Sequence, residues 1–300
     1  MLQFDWDDLA AIFGSLVSFE DYDRLLPLVA NSIWAGALLA LMGGLIGVFV
    51  MHRDLGFAVH GISEIAFAGA AVALLLGLDV VVGSIAGSFA AALILAVLGS
   101  RARDRNSAVA VLMPFGLGIG ILALALYPGR AANKFGLLTG QIVAVDDPKL
   151  GYLVVISIIV LVTLAVVWRP LLFASLDGEV AAAKGVPTRA LGIAFMLLLA
   201  ITAAAAVQVI GVLLVLALLV TPAAAALRLS ASPVLVPLLS VAIALFASVG
   251  GILLALGSGL PISPYITTLA FMCYLAARVI ESVRTRRLRA PVSSSGGAHR

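Results

Sequence analysis

Long apolar runs, cut by single charges and turn residues, dominate this chain. Nine runs stand out, near 27–50, 57–78, 80–99, 108–126, 152–168, 190–207, 209–228, 233–256 and 260–280. A helix rises about 1.5 Å per residue, so runs of this length approach or exceed the thickness of a bilayer's hydrocarbon core. The expected fold is all-α, a polytopic transmembrane helical bundle of about nine spans. The boundary between 190–207 and 209–228 rests on Gln208 and Gly211 alone, so these two runs could also form one long or re-entrant element.

Composition sharpens this picture. The 300 residues are 63% hydrophobic and 11% charged, where a soluble chain is nearer one quarter charged. Short connections favour one membrane domain over residues 27–280. An acidic segment, 1–26, precedes it on the outside or at the interface, without the basic start and cleavage site of a signal peptide. A basic, then Ser- and Gly-rich tail, 281–300, is expected to be disordered. The net charge of +3 is no sign of nucleic-acid binding, because in a membrane protein the placement of Lys and Arg matters more than their total. The single cysteine, Cys273, excludes an intramolecular disulfide and thiolate metal cages. No Gly-x-x-x-x-Gly-Lys-Ser/Thr loop is present, so the chain is not expected to be an enzyme that hydrolyses ATP.

Orientation follows from the basic residues. With the amino terminus outside and nine crossings, only Arg24, Arg130, Lys134 and Lys149 of the eighteen Lys and Arg lie outside. The other fourteen fall inside, including Arg53, Arg169, Lys184, Arg189 and Arg228, and the carboxyl terminus is cytoplasmic. Small residues recur at helix-contact spacing in Gly43/Gly47, Gly83/Gly87 and Gly116/Gly120, which predicts close helix packing. Pro114, Pro222, Pro237 and Pro264 lie in or beside apolar runs and can bend them. Two connections are long, 127–151 outside and 169–189 inside. Within the second, Glu179 to Lys184 reads as a short helix, capped by Gly185 and stopped by Pro187.

One carboxylate breaks the apolar pattern. Glu64 lies well inside the second run, and His60 lies four residues before it, on the same helix face. An ionisable group at membrane depth costs a few kcal/mol on insertion scales, about 2.5–3.5 for the worst residues, and points to function by default. Imidazole and carboxylate suit Zn(II), and also Mn(II) and Fe(II). Two ligands leave coordination incomplete, which suits an ion that must leave as well as enter. The plainer alternative is a buried His–Glu hydrogen bond that holds helices together. Ser63 is expected to bond back to the backbone. Asp54 reads as a boundary charge at the inner mouth, Gln208 as a polar joint, and His52 and His299 as surface residues.

Three stretches resemble the membrane-spanning permease subunit of ABC transporters that import zinc, manganese or iron. They are His60 to Gly77, Asp177-Gly-Glu179 to Lys184-Gly185-Val-Pro187, and Val209 to Thr221-Pro222 with the four alanines that follow. With their spacing they cover about residues 30–280. Many members of that family carry Asp and then His four residues later where this chain has His60 and Glu64; the spacing is kept and the order of ligand types differs. The resemblance implies a homodimer in a bacterial inner membrane, two cytoplasmic ATPase subunits and an extracytoplasmic metal-binding protein. It implies that Asp177, Glu179, Lys184, Gly185 and Pro187 form a loop that couples to the ATPases, and that no cofactor is permanently bound. Zinc is the expected cargo, since His with Glu is a good borderline pair; manganese or iron is the alternative. Two other classes stay open: a stand-alone secondary transporter with Glu64 as proton carrier, and a permease for an organic metal chelate.

Overall fold

The computed structural model describes residues 26–98, 102–129, 137, 145–256 and 262–289. The acidic segment before Leu26, most of the 127–151 connection and the tail after Arg289 lie outside the described residues, and so does His299. Among the described residues there is no strand. A 3-10 turn, Leu26–Val29, leads into α1 (Ala30–His52). Then come α2 (Gly56–Leu75), α3 (Val80–Leu98), α4 (Ala102–Leu126) and α5 (Asp147–Leu176). The short α6 (Gly178–Ala183) precedes α7 (Thr188–Ile210). The fragments α8 (Val215–Leu219) and α9 (Thr221–Leu229) are followed by α10 (Leu235–Leu256) and α11 (Ile262–Arg289).

Among the described residues, eight helices are long and apolar enough to cross a membrane. The ninth run is not a continuous span. Gly211 has φ +79, a left-handed value that costs glycine nothing but strains other residues, and it ends α7. A 3-10 turn, Val212–Leu214, and then α8 follow. A second break falls at Val220, because Pro222 has no N–H to return to the Leu218 carbonyl. This broken run still passes from one end of the bundle to the other. Gln208 bonds Val80 beside the 78–79 turn, whereas Leu227 shares a cavity wall with His52, Leu176 and Ser232. At the first end Asn31 also meets Asp147; at the second, Arg53 meets Ser175, and Arg284 donates to the Leu229 carbonyl. The ends therefore alternate as nine crossings require.

Buried shares separate centre from periphery. Two thirds of the best membrane windows of α1 and α2, and 61% of that of α7, are buried; the other five long helices reach at most 39%. The glycine pairs set the close approaches. A Cβ at Gly43 or Gly47 would press on Leu218 or Leu219 of α8, so α1 makes room for the carbonyls around the break. Gly83 and Gly87 of α3 lie against Gly69 and Ile65 of α2, while Gly116 and Gly120 of α4 lie against Glu64, Ile65 and Phe67. Helix α2 is thus held between α3 and α4, backbone to backbone. On the other side of α1, Ser240 and Ser248 of α10 donate to the carbonyls of Gly44 and Gly36, at 2.7 and 3.0 Å.

Two expected loops are shorter than the sequence suggests. Helix α5 begins at Asp147, where the Asp146 side chain accepts from Lys149 N, and it runs through Pro170 to Leu176. A proline removes one hydrogen bond and can leave the rest of a packed helix intact; Leu171, just beyond it, is fully buried. The last helix extends to Arg289, nine residues past its expected end, so 281–289 is helical rather than disordered. Glu281 fixes that extension by pairing with Arg228 at 2.7 Å, and Arg228 also donates to Tyr274.

Candidate metal path and coupling segment

Two features are candidates for function, one within the bundle and one at its end. In α2, His60 Nε2 and Glu64 Oε1 lie 3.8 Å apart. That is beyond hydrogen-bond reach, so the pair is not the closed structural bond of the plainer reading. Glu64 is 5% exposed, and its Oε2 has no hydrogen-bond partner among the described residues. His60 Nδ1 is buried and unpartnered in the same way. A buried polar atom left unpaired costs about 1–3 kcal/mol, so two adjacent ones on one helix face call for a ligand, water or another chain. Gly116 lies against the backbone at Glu64 and Gly61 against Val109, which keeps α4 close and fixes the α2 face that carries the pair.

The neighbours behave as the sequence suggests. Ser63 Oγ donates to the Val59 carbonyl at 2.8 Å and orients neither ionisable side chain. Asp54 sits in the α1–α2 turn with φ +52, a left-handed value that Asp tolerates better than most residues. Among the described residues no three His, Cys, Asp or Glu side chains converge, so neither Asp54 nor Cys273 completes a set with His60 and Glu64. Gln208 Nε2 donates to the Val80 carbonyl at 2.9 Å and acts as a polar joint between α7 and α3.

At the end that carries Arg53 and Arg189, the segment Asp177–Pro187 forms a compact turn of helix. Asp177 is its N-cap, with the carboxylate accepting from Val180 N at 3.0 Å. Aspartate followed by Gly-Glu is a helix-start pattern, and it was the missed signal that this residue caps rather than merely flanks the helix. Gly185 has φ +83; its N–H reaches the Ala182 carbonyl, and Val186 N–H reaches that of Ala181. This is the paired C-terminal closure that glycine permits. Lys184 is the C-cap residue, and Pro187 precedes the first turn of α7. Ala181 is fully buried and seats the helix, while Asp177, Glu179, Ala182, Ala183 and Lys184 are exposed. The segment packs on α5 and α7, so a push on it reaches both.

A family model described as "ABC 3 transport family" matches residues 26–281. The manganese transport system membrane protein MntC of Halalkalibacterium halodurans is 26% identical over 62% of this chain and 65% of its own length. The manganese import system permease protein ScaB of Streptococcus parasanguinis is 24% identical over 64% of this chain and 69% of its own. The chain therefore matches about two thirds of the length of these relatives. Among solved structures, PsaBC from Streptococcus pneumoniae in complex with Fab includes a chain superposing with a TM-score of 0.78 at 25% identity, over 87% of this chain and 94% of that one.

Proposed function

We propose that this chain, which belongs to the ABC 3 transport family, is the permease subunit of an ATP-driven importer of a divalent transition metal, with manganese as the cargo. The observation that carries the proposal is the unpaired Glu64 carboxylate beside His60 on a buried face of a central helix. Carboxylate and imidazole without thiolate suit Mn(II) as well as Zn(II). The relatives named for manganese weigh towards Mn(II), so manganese takes the place that ligand chemistry alone gives to zinc.

This chain supplies two ligating groups, and a second copy related by a two-fold axis would supply two more. His60 and Glu64 hold the ion in transit. Loose coordination lets it leave, and the metal is cargo rather than a resident cofactor. ATP hydrolysis belongs to a cytoplasmic pair of partner subunits, and an extracytoplasmic protein delivers the ion. Asp177, Glu179, Lys184, Gly185 and Pro187 form the element that meets the ATPases, and its seating on α5 and α7 supports that role. In this reading the end carrying Arg53, Arg189 and Arg228 faces the cytoplasm of a bacterial inner membrane, with the amino terminus outside. The test is uptake of radioactive manganese into proteoliposomes containing the permease, its ATPase and its binding protein. Uptake that needs ATP and resists excess zinc supports the reading. Zinc uptake that excess manganese leaves untouched overturns the choice of cargo.

A further inference from the structure

A cavity of about 430 Å³ opens at the end of the bundle that carries Arg53. It lies between the ends of α1, α3 and α5 and the start of α7, and neither His60 nor Glu64 lines it. Its polar wall is Arg53, Arg189, Ser175 and His52, and no carboxylate lines it among the described residues. The Arg53 guanidinium is held in place. Its Nε donates to Ser175 Oγ at 2.7 Å, and its centre lies 5.5 Å from the middle of the Phe195 ring. A Cβ at Gly192 would stand 3.8 Å from Arg53 Nη1, so the guanidinium crosses α7 where no side chain displaces it. His52 Nδ1 donates to the Val48 carbonyl, which fixes the ring. Arg189, in the first turn of α7, is exposed.

The opposite wall is apolar. Leu93 and Val97 line the cavity and are 58% and 74% exposed, and both belong to a membrane-crossing segment. A held cation and an exposed one lining the same cavity suit a phosphate group. Outward-facing aliphatic side chains within the same cavity suit a hydrocarbon chain rather than water or a soluble partner. We infer that this cavity binds the phosphate headgroup of an anionic phospholipid, with an acyl chain lying along Leu93 and Val97. The lipid would brace the start of α7, directly after the Asp177–Pro187 segment, against the end of α1.

The experiment is native mass spectrometry of the delipidated full-length permease, titrated separately with phosphatidylglycerol and phosphatidylcholine. Phosphatidylglycerol should bind in preference, and R53Q and R189Q should each weaken it about fivefold. In parallel, wild-type protein is photolabelled with phosphatidylglycerol carrying a reactive group on its acyl chain. The label should concentrate in residues 93–97 and 192–196. That arm decides the matter if the arginine variants fail to fold. Equal binding of the two lipids, unchanged binding by both variants or labels spread evenly around the bundle overturn the inference. Displacement of the lipid by millimolar inorganic phosphate would assign the site to a free anion and also overturn it. So would an R189Q variant that loses its ATPase partner while binding phosphatidylglycerol normally.

Discussion

Replacing Gly69 with alanine should loosen the bundle at the helix that carries Glu64. The added Cβ would fall on the Gly83 carbonyl oxygen, with the Gly83 carbonyl carbon and Gly87 Cα each 3.1 Å away. All three are backbone atoms within α3, so no side chain can rotate aside. The contact is reciprocal: a Cβ at Gly83 would meet the Gly69 carbonyl, and one at Gly87 the Ile65 carbonyl. To restore ordinary separations near 3.5–4 Å, α2 and α3 must part by roughly 1.5 Å. Overpacking of this kind costs about 1–3 kcal/mol. Gly118 of α4 is the control, since a Cβ there meets nothing within 4 Å. At that site alanine should be neutral or gain up to about 1 kcal/mol from helix propensity. Unfolding in mixed micelles with increasing dodecyl sulfate, followed by circular dichroism, measures both variants. A Gly69→Ala protein as stable as Gly118→Ala would refute the backbone contact between α2 and α3.

Three further outcomes are expected. Gly185→Val places a β-branched residue at φ +83, at a cost of about 1–2 kcal/mol, and should abolish metal-stimulated ATP hydrolysis while the permease still assembles; normal coupled hydrolysis would argue against the coupling role. Ser240→Ala and Ser248→Ala each remove a buried hydrogen bond to α1 and should lose about 1 kcal/mol apiece, close to additively in the double variant by chemical unfolding; no loss in either would mean that these bonds do not hold α10 to α1. A cysteine at position 184 in a Cys273→Ser background should resist a membrane-impermeant thiol reagent in intact cells and react after lysis, and labelling from outside would invert the topology.

The long spans were legible because apolar content and length alone decide them. The glycine pairs also announced real contacts, since close helix approach in a membrane requires small side chains. The break at Gly211 was visible only as a weak boundary. Its cause is a left-handed backbone, and that of the second break, at Val220, is a missing proline N–H; hydrophobicity registers neither. The reach of α5 through Pro170 was hidden for the opposite reason: proline reads as a stop, yet Leu171 is buried and α5 packs on both α1 and α7, which holds the helix together. His60 and Glu64 could be picked out as a pair from spacing. The 3.8 Å gap between them and the unpaired carboxylate oxygen depend on side-chain placement, which spacing does not determine. Likewise Arg53 counts in the sequence only as one of the inside basic residues until Ser175, more than a hundred residues away, is seen to hold it.

The most direct test of the central claim is ATP-driven manganese uptake by complexes carrying His60→Ala, Glu64→Gln or both, reconstituted with the ATPase and binding protein. Assembly is checked by copurification of the partner subunits. Even the loss of a group that only supports a metal ligand costs about 10- to 100-fold, so each single variant should fall at least that far. Assembly and basal ATP hydrolysis should be unchanged. Wild-type uptake by a fully assembled double variant would contradict the assignment of His60 and Glu64 to the metal path.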